Sequence, residues 1–272
     1  MSPPILEETL EHLYGKYNKR EFVHPDPLEF LYNYNELRDR EIVGLIASSL
    51  AYGRVPQILK SVSNVLGKMM PSPLRFIEES SMESLLRTFS SFKHRFTTGD
   101  EIAAILFGMK NVIMKYGSLH ACFKVVFINN GESLLPAINK FTEELSDGFN
   151  CRSNSLLPSP AKGSACKRLN LFLRWMVRRD DVDPGGWDDI SPSKLVIPLD
   201  THMHRICLAL GLTKRKQGDM KTALEITRSF QKIAPHDPVR YDFALTRLGI
   251  RKDTDITSFL DEYDTRTAVQ HN

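Results

Sequence analysis

Leu195-Val196-Ile197-Pro198-Leu199-Asp200-Thr201-His202-Met203-His204-Arg205-Ile206-Cys207-Leu208-Ala209-Leu210-Gly211-Leu212 is the stretch whose reading decides the fold. Pro198 ends an apolar run, Asp200 stands where a helix N-cap belongs, and Met203, Ile206, Cys207 and Leu210 recur at helical spacing. The stretch therefore predicts a short helix with a carboxylate at its mouth, closed by Gly211. Taken alone, Asp200 is a helix cap, a role that contributes about 1 kcal/mol.

The same periodicity runs outward in both directions. Leu6, Leu10, Leu13 and Tyr14 form one apolar stripe that Pro25-Asp26-Pro27 breaks. A second helix begins after Asn35 or Arg38, carries Ile42, Leu45, Ile46 and Ser49 on one face and stops at Gly53, and Pro56 sits early in a third. Thr97-Thr98-Gly99-Asp100 marks another helix start, with Ile102, Ile105, Leu106 and Met109 following. The run Ala121 to Ile128 has strand-like composition, but no second strand is encoded to pair with it, so it reads as a buried helix. Phe141, Leu145 and Phe149 suggest one more helix. Leu169, Phe172, Leu173 and Met176 form the inner stripe of a basic helix, Ala223, Ile226 and Phe230 that of a later one, and Asp237-Pro238 opens the last. The predicted class is all-α.

At 272 residues, with 42% hydrophobic and 25% charged residues, the chain can bury one large core or two modest lobes. No run approaches the ~20 apolar residues of a membrane span, and Glu7, Glu8 and Glu11 follow Met1 too closely for a signal peptide. A cytoplasmic protein without a membrane partner is expected. Cys122, Cys151, Cys166 and Cys207 have neither metal-type spacing nor a disulfide pattern, and read as buried thiols with no metal. The net charge of +3 is small but unevenly placed. From Cys151 to Arg179 stand Arg152, Lys162, Lys167, Arg168, Arg174, Arg178 and Arg179 with no acid among them. Such a segment is either a phosphate-binding surface or a solvated helix face.

Leu199-Asp200-Thr201-His202-Met203-His204-Arg205 resembles the hydrophobic-Asp-Thr-His-x-x-Arg motif of the helix-hairpin-helix DNA glycosylases. The resemblance implies that Asp200 is the catalytic carboxylate. Lys167 and Asn170 are similar to the Lys-x-x-Asn start of the hairpin's second helix, whose lysine is the nucleophile in bifunctional members, and Leu157-Pro158 matches the hairpin's entrance. The family's Gly-x-Gly turn is missing; a single Gly163 followed by Ser164 stands ahead of the helix, where its amides can still meet an anion. Glu41 to Leu66 is similar to the family's first helical hairpin, and Tyr52 occupies about the place of the residue that enters the duplex, with a core aromatic as the alternative.

The interval from Lys167 to Asp200 contains the acidic loop Asp180 to Asp189 and has the length found in the archaeal 8-oxoguanine glycosylase branch. An uncharacterised bacterial family within the same superfamily carries the same segments. The loop itself reads as a solvated connection, and Trp187 within it as a base-stacking ring or a hydrophobic plug. His202 and His204, two apart on a helix, point away from each other and read as structural. No cysteine follows Cys207, so the iron–sulfur loop of many relatives is not expected.

What the resemblance implies is a single two-lobed helix-hairpin-helix glycosylase-like domain over 1–272 with a central cleft. Residues 38–180 form the central helical lobe, with a hairpin-like element at about 156–178, and 1–37 with 195–272 form the second. The implied function is a base-excision DNA glycosylase, with or without AP lyase activity, that removes an oxidised purine such as 8-oxoguanine through a Lys167 Schiff base assisted by Asp200. Tyr52, Gly163, Ser164, Arg168, Arg174 and Arg178 would contact double-stranded DNA containing the damaged base; no cofactor is called for, and a monomer is expected. Two other readings stay open: a non-catalytic nucleic-acid-binding protein of this fold, marked by salt-dependent binding without cleavage, and an enzyme on another nucleic-acid or nucleotide substrate.

Overall fold

Caps and breakers divide the chain into helices at nearly the places where the apolar stripes start and stop. The computed structural model describes residues 3–131, 133–147, 155–158, 161, 163–250 and 259. In order along them come α1 (Pro3–Tyr17), α2 (Leu37–Ser49), α3 (Val55–Gly67), α4 (Pro73–Glu79) and α5 (Met82–Phe89). A small hairpin follows, β1 (Lys93–His94) paired antiparallel with β2 (Thr97–Thr98). Then come α6 (Gly99–Tyr116), α7 (Leu119–Asn129), α8 (Leu134–Ser146), α9 (Lys167–Val177), α10 (Thr201–Ala209), α11 (Met220–Gln231) and α12 (Asp242–Ile250). Among the described residues the protein is all-α apart from that hairpin, and no helix is long and apolar enough to cross a membrane.

Local chemistry accounts for the boundaries. Ser72, Ser118 and Asp219 each accept a backbone N–H from the first turn of α4, α7 and α11, satisfying a donor that the helix cannot. Ala121 to Ile128 lies within α7, where Cys122, Phe123, Val126 and Phe127 face the core and Val125 and Ile128 face outward, a helical rather than an alternating pattern.

Two helices sit at the centre. α2 is buried from Glu41 to Ser49 and α9 from Leu169 to Val177, and they pack against each other. Gly44 makes the approach possible: a Cβ there would stand 3.3 Å from Met176 Sδ and 3.4 Å from a Phe172 ring carbon. α6 collects α5, α7 and α8, while α1 packs on α12 and α12 on α10.

The acidic loop is not the solvated connection expected of it. Asp183 is fully buried and receives Arg174 and Arg178, Asp180 and Asp237 take further donors from Arg178, and Asp242 takes Arg174. Arg174 and Arg178 are themselves 3% exposed. These two arginines, expected on a DNA-facing surface, instead tie α9 to the loop and to α12 from inside, because each finds carboxylates that offset its loss of water. Trp187 is the plug of the two alternatives: it is fully buried, packs against His120, Phe123 and Phe172, and donates its Nε1–H to Glu41 Oε1 at 3.0 Å. Burial raises the Glu41 carboxyl above the ordinary range, while the Trp187 donor and the Leu119 amide (3.0 Å) pull it back.

Two boundaries differ from expectation. The last helix opens at Asp242 rather than Pro238, since Asp237 to Arg240 form turns first. The pair β1–β2 is too short to show as alternation, and the sequence signals only the helix start that follows it. Phe149, Cys151, Arg152 and Lys162 lie outside the described residues.

Candidate active site

The turn before α9 sets its first residue in place. Cys166 adopts a left-handed conformation at φ 48°, and Asn170, one turn into the helix and 1% exposed, donates from Nδ2 to Ala165 O at 3.0 Å. The Lys-x-x-Asn spacing thus has a local cause: the asparagine pins the turn from which Lys167 projects. Lys167 Nζ lies 3.3 Å from Ala51 O, in the turn between α2 and α3, and 3.6 Å from Asp200 Oδ2, at the start of α10.

Asp200 caps α10 with one carboxylate oxygen and turns the other toward Lys167. Its Oδ1 accepts the amides of His202 at 2.9 Å and Met203 at 2.8 Å, which caps α10, and Oδ2 remains for Lys167. The two side chains are 29% and 35% exposed, open enough to be reached by a ligand and enclosed enough to be held in place.

Both line a cavity of about 470 Å³, a size typical of small-molecule pockets. Three acid–base pairs stand on its walls: Lys167 with Asp200, Arg174 with Asp242, and Arg247 with Asp26 at 2.7 Å. The cationic members of the second and third pairs are 3% and 1% exposed, which leaves the first as the accessible one. Tyr52, Pro198 and His202 complete the part of the wall that matters here.

Two wall residues went unrecognised in the sequence. Asp242 Oδ1 and His202 Nε2 are buried polar atoms without a hydrogen-bond partner in the protein. Burial, together with the neighbouring charges of Asp200 and Asp183, outweighs Arg174 and pushes the Asp242 carboxyl up to about 6. Burial pulls the His202 imidazole below its usual range, against the attraction of Asp200, so at neutral pH it carries one donor and one acceptor. Buried polar groups are costly to leave unpaired, so a ligand that reached either atom through the wall would supply a bond the protein does not. The sequence signals Asp242 only as an acid inside an apolar helix start, and His202 as a structural histidine.

The expected DNA contacts separate into groups. Gly163 (φ 78°) and Ser164 are exposed immediately ahead of α9, with Ser164 Oγ accepting the Cys166 amide at 3.2 Å. Arg168 spends its terminal nitrogens on carbonyls, Ser49 O at 2.9 Å and Ser155 O at 2.5 Å, and its guanidinium lies 5.1 Å over the Tyr52 ring. It braces the site rather than reaching outward. Tyr52 is half-buried: its hydroxyl donates to His94 O at 2.9 Å and sits 2.6 Å from Thr97 Oγ1. Arg174 and Arg178 are excluded from the surface by the burial described above. Among the described residues no three His, Cys, Asp or Glu side chains gather where they could hold a metal ion.

A family model described as a protein of unknown function, DUF2400, matches residues 26–251, which takes in every residue of this site. No curated protein and no solved structure matches the chain.

Proposed function

This chain belongs to the DUF2400 family, and we propose that it is a base-excision DNA glycosylase, with AP lyase activity, acting on an oxidised purine such as 8-oxoguanine in double-stranded DNA. The observation that carries the reading is the approach of Lys167 Nζ to Asp200 Oδ2, 3.6 Å apart on the wall of a half-open cavity of about 470 Å³. An amine and a carboxylate at one sugar, beside a pocket for its base, is what excision requires.

The steps follow from those positions. The extruded base enters the cavity, and Asp200 takes the proton that Lys167 must lose to become nucleophilic. Nζ bonds to C1′ as the C1′–N bond breaks, and its electron pair leaves with the base, which takes up a proton. Having passed that proton to the departing base, Asp200 is again a carboxylate, and with Oδ1 fixed by two amides it faces the positive charge that develops on the sugar without having to reorganise. Opening of the sugar ring gives a Schiff base on Nζ, and loss of the C2′ proton with departure of the 3′ phosphate then nicks the strand. The packing of α1 and α10 on α12, and of α6, α7 and α8 on one another, is the grouping that supports two lobes.

A panel of duplexes, each with one damaged base, tests the proposal. We expect one oxidised-purine duplex to be cut, borohydride to trap a covalent complex with it, and Lys167→Gln to abolish the trapped complex while DNA is still bound. If the wild type cuts none of them, the glycosylase reading fails.

A further inference from the structure

The hairpin formed by β1 and β2 is held to the turn between α2 and α3 by more bonds than its size needs. Tyr52 donates to His94 O at 2.9 Å and meets Thr97 Oγ1 at 2.6 Å. His94, 3% exposed, returns Nε2 to Tyr52 O at 3.0 Å and holds Ser61 Oγ at 2.8 Å on α3 through Nδ1. Arg95 at the tip takes φ 54°, which an arginine adopts only at a cost, and its side chain crosses Gly53, where a Cβ would lie 2.9 Å from Arg95 Cδ.

What this framework presents is Phe96. Its ring is stacked on Tyr52, with centroids 4.9 Å apart and planes at 24°, yet the residue is 61% exposed. Single exposed apolar side chains are ordinary on protein surfaces. Phe96 differs in its support: a strained tip, a buried histidine, and a second aromatic ring that is itself under the Arg168 guanidinium and on the wall of the cavity. Exposed Lys93 and Arg95 flank it.

We propose that Phe96, not Tyr52, is the side chain that enters the duplex and stacks in the gap left by the extruded base. The inference rests on the glycosylase reading and adds the element that would keep the base out. Tyr52 cannot reach a duplex without giving up its bonds to His94 and Thr97, whereas Phe96 already projects beyond it. A flat ring supported on one side by another ring offers its free side to a base, and aromatic–base stacking tolerates any sequence. The flanking cations suit the phosphates on either side of the gap.

Phe96→Trp tests this directly, because the native Trp175 and Trp187 are both fully buried and an exposed indole at position 96 is distinguishable from them. The probe is a duplex carrying a tetrahydrofuran abasic analogue, with the intact duplex as control. We expect the introduced indole to be quenched on binding the gapped duplex and much less on the intact one. Phe96→Ala should weaken binding to the gapped duplex by about tenfold, the size of one lost stack, with little effect on the intact duplex. A complex that forms with the indole unquenched, or an alanine effect equal on both duplexes, overturns the role of Phe96 and leaves the glycosylase reading standing. Failure of the wild type to bind either duplex overturns both.

Discussion

Asp200 holds the amides of His202 and Met203 with one carboxylate oxygen and keeps the other 3.6 Å from Lys167 Nζ, so one side chain both closes α10 and faces the amine. The two roles separate by substitution. Asn retains an oxygen for the cap and loses the charge; Ala loses both. Asp200→Asn is expected to melt close to the wild type while its single-turnover excision rate falls at least about 100-fold. Asp200→Ala should show the same rate loss and, in addition, a stability lower by about 1 kcal/mol. Equal melting losses in the two variants would mean that the cap contributes nothing.

Arg174 and Arg178 should behave as interior residues. Each is 3% exposed and paired with buried carboxylates: Arg174→Ala takes one of Asp183's two arginines and the ion-pair partner of Asp242, Arg178→Ala takes the other arginine from Asp183, and each should cost about 3–5 kcal/mol in denaturant unfolding. Neither is expected to change the slope of log affinity for DNA against log salt. A slope shallower by about one for either variant would place that guanidinium on a phosphate after all.

Asp242 imposes a pH dependence whose sign follows from its raised carboxyl. In the unfolded chain an aspartate titrates near ~3.9, and in the fold Asp242 is pushed up to about 6 by burial. Between those values the folded protein binds the extra proton. The stability it contributes is therefore complete below the unfolded pKa and is lost as pH rises through about 6. Denaturation measured across this window should show the wild type losing stability relative to Asp242→Asn, which does not titrate. Parallel curves for the two proteins would remove Asp242 from the account.

Much of this was legible in sequence because helices announce themselves by period. The stripes of α2, α3, α6 and α9 and the cap at Asp200 are local signals, and Lys167 and Asp200 came with motifs. What was not legible depended on partners far along the chain. The basic run ending at Arg179 looked like a surface because its counter-charges, Asp183, Asp237 and Asp242, follow it in sequence and meet it only in three dimensions. The acidic loop was misread for the same reason. The exposed ring stacked on Tyr52, Phe96, gave no signal because it belongs to a hairpin of two-residue strands, too short for any periodicity.

The cavity and the outer DNA contacts can be told apart experimentally. Asp242 and His202 line the cavity, and Oδ1 of the first and Nε2 of the second are buried in its wall without a partner in the protein, so on the proposed reading an extruded base supplies the missing bonds as the wall adjusts to it. His202→Phe keeps a ring of similar shape and removes both nitrogens, and Asp242→Asn replaces an acceptor with a donor or the reverse. Loss of one such bond in a buried site costs about 1–3 kcal/mol, so excision of the damaged base is expected to fall roughly 5- to 150-fold in each variant. Affinity for a duplex bearing a tetrahydrofuran site should be nearly unchanged, because that duplex places no base in the cavity. The opposite pattern, with abasic binding lost and excision retained, would put these side chains on the DNA backbone and the base elsewhere.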